Sequence, residues 1–201
     1  MTKILTLDGE ANGAIRNKGH PFDPRNTLVA LGVYDEAHGY NGGYLDRFGN
    51  PYGDNLAIYR ERINSATLLV GFNIKYDLHW LRRYSIILGS NVKVWDCQIA
   101  HFLLTNQRKK YPSLNDVLQW YGLPLKDDKI REYWKNGVDT DQIPEEELLP
   151  YLEYDVISTY EDYKRQVVDI ENAGLSKLMW LCWADLLGLE EMEWNGMAYN
   201  K

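Results

Sequence analysis

Lys3-Ile4-Leu5-Thr6-Leu7-Asp8-Gly9-Glu10 opens the first regular element of the chain, and its reading decides the fold. The branched and apolar residues up to Leu7 predict a β-strand. Two carboxylates follow. Residues i and i+2 of an extended chain project to one face, so Asp8 and Glu10 leave the end of the strand together. Like charges side by side disfavour each other's ionisation, and a bound cation resolves that conflict. The strand therefore belongs in a sheet whose edge collects further acidic side chains.

Working outward, residues 27–34 read as a second strand, and the Gly/Pro-broken stretch 12–26 between the two as a loop. Residues 35–53, with turns at Gly39, Gly42-Gly43, Gly49-Asn50-Pro51 and Gly53, predict a third strand with hairpin turns. Helical spacing covers 55–65. The apolar run Thr67–Phe72 is a strand covered on both faces. A helix over 75–88 and a short strand over 92–95 come next. Asp96 is placed to N-cap a helix over 97–104, and Ser113 begins a capping box with Asp116 in place of Glu. From Pro144, followed by three glutamates suited to the helix dipole, a helix runs to about Ala173; Gly174 breaks it, and 175–193 form the last. Early strands and later mixed helices define an α/β protein, a central mixed β-sheet flanked by helices, in one domain over residues 1–201.

The 201 residues suffice for a single full hydrophobic core. No apolar run reaches the roughly 18 residues of a membrane span, and no signal-peptide pattern precedes the first strand. Cys97 and Cys182 stand alone in apolar helical contexts, as reduced side chains rather than a disulfide or zinc site, and a reducing cytoplasm is the expected setting. A net charge of −7 argues at first against a nucleic-acid partner. Two divalent cations held by clustered carboxylates would bring it to −3 and reverse the local field. The basic stretches Arg60/Arg62, Arg82-Arg83, Arg108–Lys110 and Lys126–Arg131 read as solvated faces.

Two more acidic motifs complete the pattern. Asn73-Ile74-Lys75-Tyr76-Asp77 follows the third apolar run, with Asp77 at a helix start. Tyr151-Leu152-Glu153-Tyr154-Asp155 lies in the long late helix, where i and i+4 spacing puts Tyr151 and Asp155 on one face. Each motif alone is commonplace: a helix-start charge, a surface aspartate beside a half-buried tyrosine. Together, four carboxylates and a tyrosine from three segments suit a site for two hard cations, Mg²⁺ or Mn²⁺, that hydrolyses a phosphodiester. Of the many aromatic side chains, Trp80, Trp120 and Trp183 sit at helical spacing and read as core. Phe72 and Tyr76, beside the second motif, are candidates to stack on bases. His79 reads as a structural or surface histidine.

These motifs resemble those of the DEDD 3′–5′ exonucleases, which have an RNase H-like fold. Tyr-x-x-x-Asp resembles the DEDDy branch, since the position of the other branch's histidine is Pro150 here. Gly71–Asp77, Val94–Ala100 and Ser113–Leu118 are similar to segments of the proofreading domain of family A DNA polymerases, chiefly those of phages. Leu189–Met197 resembles the junction, about residues 175–201, that leads into the polymerase domain, so a polymerase domain or chain is an expected partner. The resemblance implies that Asp8, Glu10 and Asp155 hold one metal, that Asp8 bridges to a second reached by Asp77, and that Tyr151 orients the attacking water. It places Asn73 on the backbone of the last nucleotides, Gly9 where the backbone is open to the 3′ end, and Ala11, Asn12 and Gly13 in the terminal-nucleotide pocket. The implied activity is 3′–5′ removal of 5′-mononucleotides from single-stranded or frayed DNA in phage replication. An RNase D-like RNA exonuclease and a catalytically silent binding or docking module are the alternatives.

Overall fold

Alternation of buried side chains along the first strand determines how the molecule is layered. The computed structural model describes residues 3–47, 50–51, 55–108, 111–126 and 129–196. Strands β1 (Ile4–Ala11), β2 (Leu28–Asp35) and β3 (Gly39–Tyr44) form an antiparallel meander, and the two-residue strands β4 (Asp46–Arg47) and β5 (Asn50–Pro51) pair separately. Strands β6 (Leu68–Gly71) and β7 (Lys93–Asp96) add to the other side of β1 in parallel, giving the order β3-β2-β1-β6-β7. The sheet is thus mixed, as the sequence predicts.

Among the described residues eight α-helices surround it: α1 (Ala14–Asn17), α2 (Asn55–Ser65), α3 (Lys75–Arg83), α4 (Cys97–Leu104), α5 (Leu114–Trp120), α6 (Lys129–Lys135), α7 (Glu145–Asn172) and α8 (Ser176–Asn195). Leu5, Leu7 and Ala11 of β1 pack on one face with Ile63 of α2 and with Leu78 and Trp80 of α3. Residues 6, 8 and 10 therefore face the other side, which α7 covers. There Val29, Ala30, Leu148, Leu152 and Val156 make a second cluster. A third, with Trp95, Cys97, Tyr160 and Met179, lies where β7 meets α4, α7 and α8.

Gly32 makes the close approach of α7 possible. It pairs with Asp8 across β1 and β2, and a Cβ there would stand 3.0 Å from Val156 Cγ2 and 3.1 Å from Leu152 Cγ. Polar bonds fix the helix further along, where Trp95 Nε1 donates to Gln166 Oε1 and Gln166 Nε2 donates to the Cys97 carbonyl.

Several expectations need correction. β1 does not end at Leu7; it continues through Ala11, with a register shift between Glu10 and Ala11, so both carboxylates lie within the sheet. The helix from Lys75 stops at Arg83 because Ser85 takes a left-handed φ of 60° and the Ile86 amide turns back to the Leu81 carbonyl. Within the stretch read as a charged face, α6 forms and buries Ile130. Trp80 is fully buried and Trp183 partly so, but Trp120 is 59% exposed. Helical spacing alone did not show which face of α5 meets the core.

Arg60, Arg108 and Arg131 are exposed, as read, but other members of the basic stretches are not on free faces. Arg62 pairs with Asp35, Arg82 with Glu190 and Glu191, and Arg83 donates to the carbonyls of Pro21 and Asp23. Of the two readings of His79 the structural one holds: it is buried against α8 between Glu190 and Glu193. Both cysteines are free. Gly49, Gly53, Lys109, Lys110 and Met197, which carry parts of the turn, basic-stretch and junction readings, lie outside the described residues. No helix among the described residues is long and apolar enough to cross a membrane.

Candidate active site

Three of the four predicted carboxylates converge. Asp8 and Glu10 of β1 and Asp155 of α7 offer oxygens that all lie within 4.8 Å of one another. The convergence follows from the local rules: i and i+2 alternation aims the β1 pair at α7, and Gly32 lets α7 come close enough for Asp155 to meet them.

Asp77 stands outside that group but borders it. The residue is 3% exposed, and charge repulsion links its carboxyl to Asp8 and Glu10. It reaches the site across Gly9, where a Cβ would stand 3.2 Å from Asp77 Oδ1 and 3.0 Å from Leu28 Cδ1. The space left by the missing side chain at Gly9 is thus taken by Asp77 and Leu28.

Burial is the first cause of every carboxyl shift in the cluster. It raises Asp8 well above the ordinary carboxylate range, with Asp77, Asp155 and Glu10 adding repulsion, and it raises Glu10 to about 7. Asp77 is likewise well raised by burial and by Glu10. Asp155 is raised by burial, against the opposing pull of Lys126. Asp77 Oδ1 and Asp155 Oδ1 are buried with no hydrogen-bond partner. Buried carboxylates without partners are costly, and a hard cation is the group that satisfies an all-oxygen set of this kind. The residues present fit a divalent metal.

Tyr151 lies one helical turn before Asp155 on α7, packed edge-to-face on Trp134. Burial pushes its phenol far up, helped by Glu10, Asp155 and Asp8, so the group is a neutral O–H.

The second motif is held by a residue assigned only a capping role. Asp96 accepts from the amides of Gln98 and Ile99 at the start of α4, and also from those of Asn73 and Ile74. This fixes Asn73 in a left-handed turn, with φ of 56° and its side chain exposed. Tyr76 and Phe72 are half-buried against core clusters, and the Tyr76 hydroxyl donates to the Gly19 carbonyl. These contacts tie both rings into the fold. Ala11 is buried, and Asn12 Oδ1 accepts from the Thr27 amide. Neighbouring Gly13 and Ala14 donate their amides to Asp139, a latch spanning more than a hundred residues.

Sequence reasoning missed one cation here. Lys126, assigned to a solvated stretch, is 13% exposed at its side chain and pairs with Asp155 Oδ2. Its ammonium sits 3.6 Å above the centre of the Tyr151 ring. The only sequence signal was its place in a short polar loop after α5.

A mixed five-stranded sheet with helices on both faces and an acidic cluster on its first strand defines an RNase H-like nuclease fold. The chain belongs to the 3′–5′ exonuclease family of the DNA polymerase A type, whose model matches residues 47–165. That match includes Asp77, Tyr151 and Asp155, while Asp8 and Glu10 fall before it. No curated protein matches the sequence.

Among solved structures, the chain is similar to NrnC of Brucella melitensis bound to pGG, with TM-score 0.69 and 16% identity over 100% of this chain and 89% of that one. It is also similar to Escherichia coli RNase D, an exoribonuclease involved in structured RNA processing, with TM-score 0.63 and 17% identity over 98% and 46%. The POL domain of Pol1 from M. smegmatis, in complex with DNA primer-template and dNTP, matches with TM-score 0.63 and 15% identity over 98% and 29%.

Proposed function

We propose that this 3′–5′ exonuclease acts on DNA, removing 5′-mononucleotides from single-stranded or frayed 3′ ends with two divalent ions. The observation that carries the proposal is the convergence of Asp8, Glu10 and Asp155 within 4.8 Å, with Asp77 and Tyr151 at its border. Asp8, Glu10 and Asp155 would hold one ion, and Asp77 would serve a second together with Asp8. Bound there, the ions, Mg²⁺ or Mn²⁺, supply the charge that activates a water and eases departure of the 3′-oxygen. Tyr151, kept neutral by its surroundings, accepts or donates one hydrogen bond to the attacking water and orients it. Asn73, on its strained turn, presents its exposed side chain to the strand backbone.

The choice of DNA is supported by the polymerase-type family match over residues 47–165. A proofreading or DNA-degrading role in a phage-encoded replication setting, beside a polymerase domain or chain, is part of the same reading. The test is a competition between 5′-labelled DNA and RNA oligomers of one sequence, in Mg²⁺ and in Mn²⁺. Faster shortening of the DNA is expected. Faster decay of the RNA would transfer the protein to the RNase D-like alternative, and intact oligomers in both metals would leave a silent binding module.

A further inference from the structure

Lys126 is a cation in a place where its charge has consequences. It lies in the loop after α5, anchored by its own amide, which donates to Asn115 Oδ1 at 2.9 Å. From that anchor the side chain runs into the acidic site, where the ammonium bonds Asp155 Oδ2 and covers the face of Tyr151. A nearly buried ammonium is tolerated only where paired charge offsets its lost hydration. Asp155 provides that pair, and Asp8 and Glu10 also feel its field, since Lys126 opposes the upward shift of both. The field of the exposed Arg131 also reaches Asp155 and Tyr151.

We propose that Lys126 is a positioning residue that stands in for the metal: its ammonium holds Asp155 and Tyr151 in place in the ion-free protein and yields Asp155 when a divalent ion binds. The inference rests on the reading of Asp155 as a metal ligand. One monovalent cation cannot neutralise four carboxylates, and a hard divalent ion suits the same oxygens better. A lysine is suited to give way, since its compact charge rides on a flexible four-carbon stem while the loop anchor at Asn115 stays fixed. The lysine thus lowers apparent metal affinity and keeps the ligands ordered until the ion arrives.

The test is Mn²⁺ binding to the intact protein by calorimetry, with Asp8→Asn as the control for the metal site. Lys126→Gln is expected to bind Mn²⁺ about five-fold more tightly or better, because the competing ammonium is gone. Lys126→Arg, which keeps the charge, should stay near the wild-type value. In the wild-type protein the rate of reductive methylation at Lys126, read by mass spectrometry, should rise when Mn²⁺ is added. Unchanged or weaker binding by Lys126→Gln, or methylation that does not rise with Mn²⁺, would overturn the proposal while leaving the metal site intact. Absence of Mn²⁺ binding in the wild type and in Lys126→Gln alike would remove the metal-site reading and this inference with it.

Discussion

At the scale of single residues, environment assigns different tasks to similar groups. Asp96 and Asp155 are both buried aspartates, yet Asp96 accepts from four backbone amides while Asp155 keeps one oxygen without a partner. The first builds the turn of the second motif; the second is available to an ion. Tyr151→Phe should lower kcat about 100-fold, the usual scale for losing one positioned proton-handling group, and leave Mn²⁺ affinity unchanged in calorimetry. A fall in affinity equal to the fall in rate would make the tyrosine a structural prop instead.

Asp162 supplies a pH prediction. It is fully buried, neither carboxyl oxygen has a partner, and burial raises its pKa to about 7. A folded pKa above the unfolded one means that its contribution is intact at low pH and is lost as pH rises towards the folded value. Thermal melts should therefore show Asp162→Asn gaining on the wild type from about pH 4 to about pH 7, then holding a constant lead. A gap that stays flat over that range would rule out titration of Asp162 as its source.

At the scale of elements, the site depends on how closely α7 approaches β1. Gly32→Ala places a methyl against Val156, Leu152 and Tyr40, all at 3.0–3.1 Å, directly beside the turn that carries Tyr151 and Asp155. Overpacking of this kind costs about 1–3 kcal/mol, and a helix pushed outward should lose exonuclease rate as well. Denaturant melts and a rate assay on the same preparation check both effects; wild-type values in both would show that the helix has slack. Asp96→Ala removes the partners of four amides and should cost about 3 kcal/mol in the same melts.

The element scale also shows which features the sequence could reveal. The i and i+2 pair on β1, the i and i+4 pair on α7, and the caps at Asp96 and Ser113 are short-range patterns, and the folded chain keeps all of them. Lys126 meets Asp155 across 29 residues, and Asp139 meets Gly13 across 126, through polar loops that have no periodicity to read. The exposure of Trp120 was hidden for a related reason, because spacing defines a face of a helix without saying what that face meets.

At the scale of the whole molecule, an acidic protein that acts on an acidic polymer needs its counter-charge delivered to one place. The sequence carries −7, and Asp8, Glu10, Asp77 and Asp155 gather beside β1, where a bound divalent ion would favour their ionised forms. Ion binding should therefore stabilise the entire fold by mass action, by about 2.7 kcal/mol at an ion concentration one hundred times Kd. On the proposed function, one ion-dependent site, built from Asp8, Glu10, Asp77 and Asp155, removes nucleotides from the 3′ end. Its most direct test compares 5′-labelled and 3′-labelled single-stranded DNA, in Mn²⁺ and in EDTA, with the wild type and Asp155→Asn. Immediate release of the 3′ label as a mononucleotide and a descending ladder from the 5′ label are expected, both abolished by EDTA and by the substitution. Release from the 5′ end, internal cuts, or cleavage that survives EDTA or Asp155→Asn would contradict it.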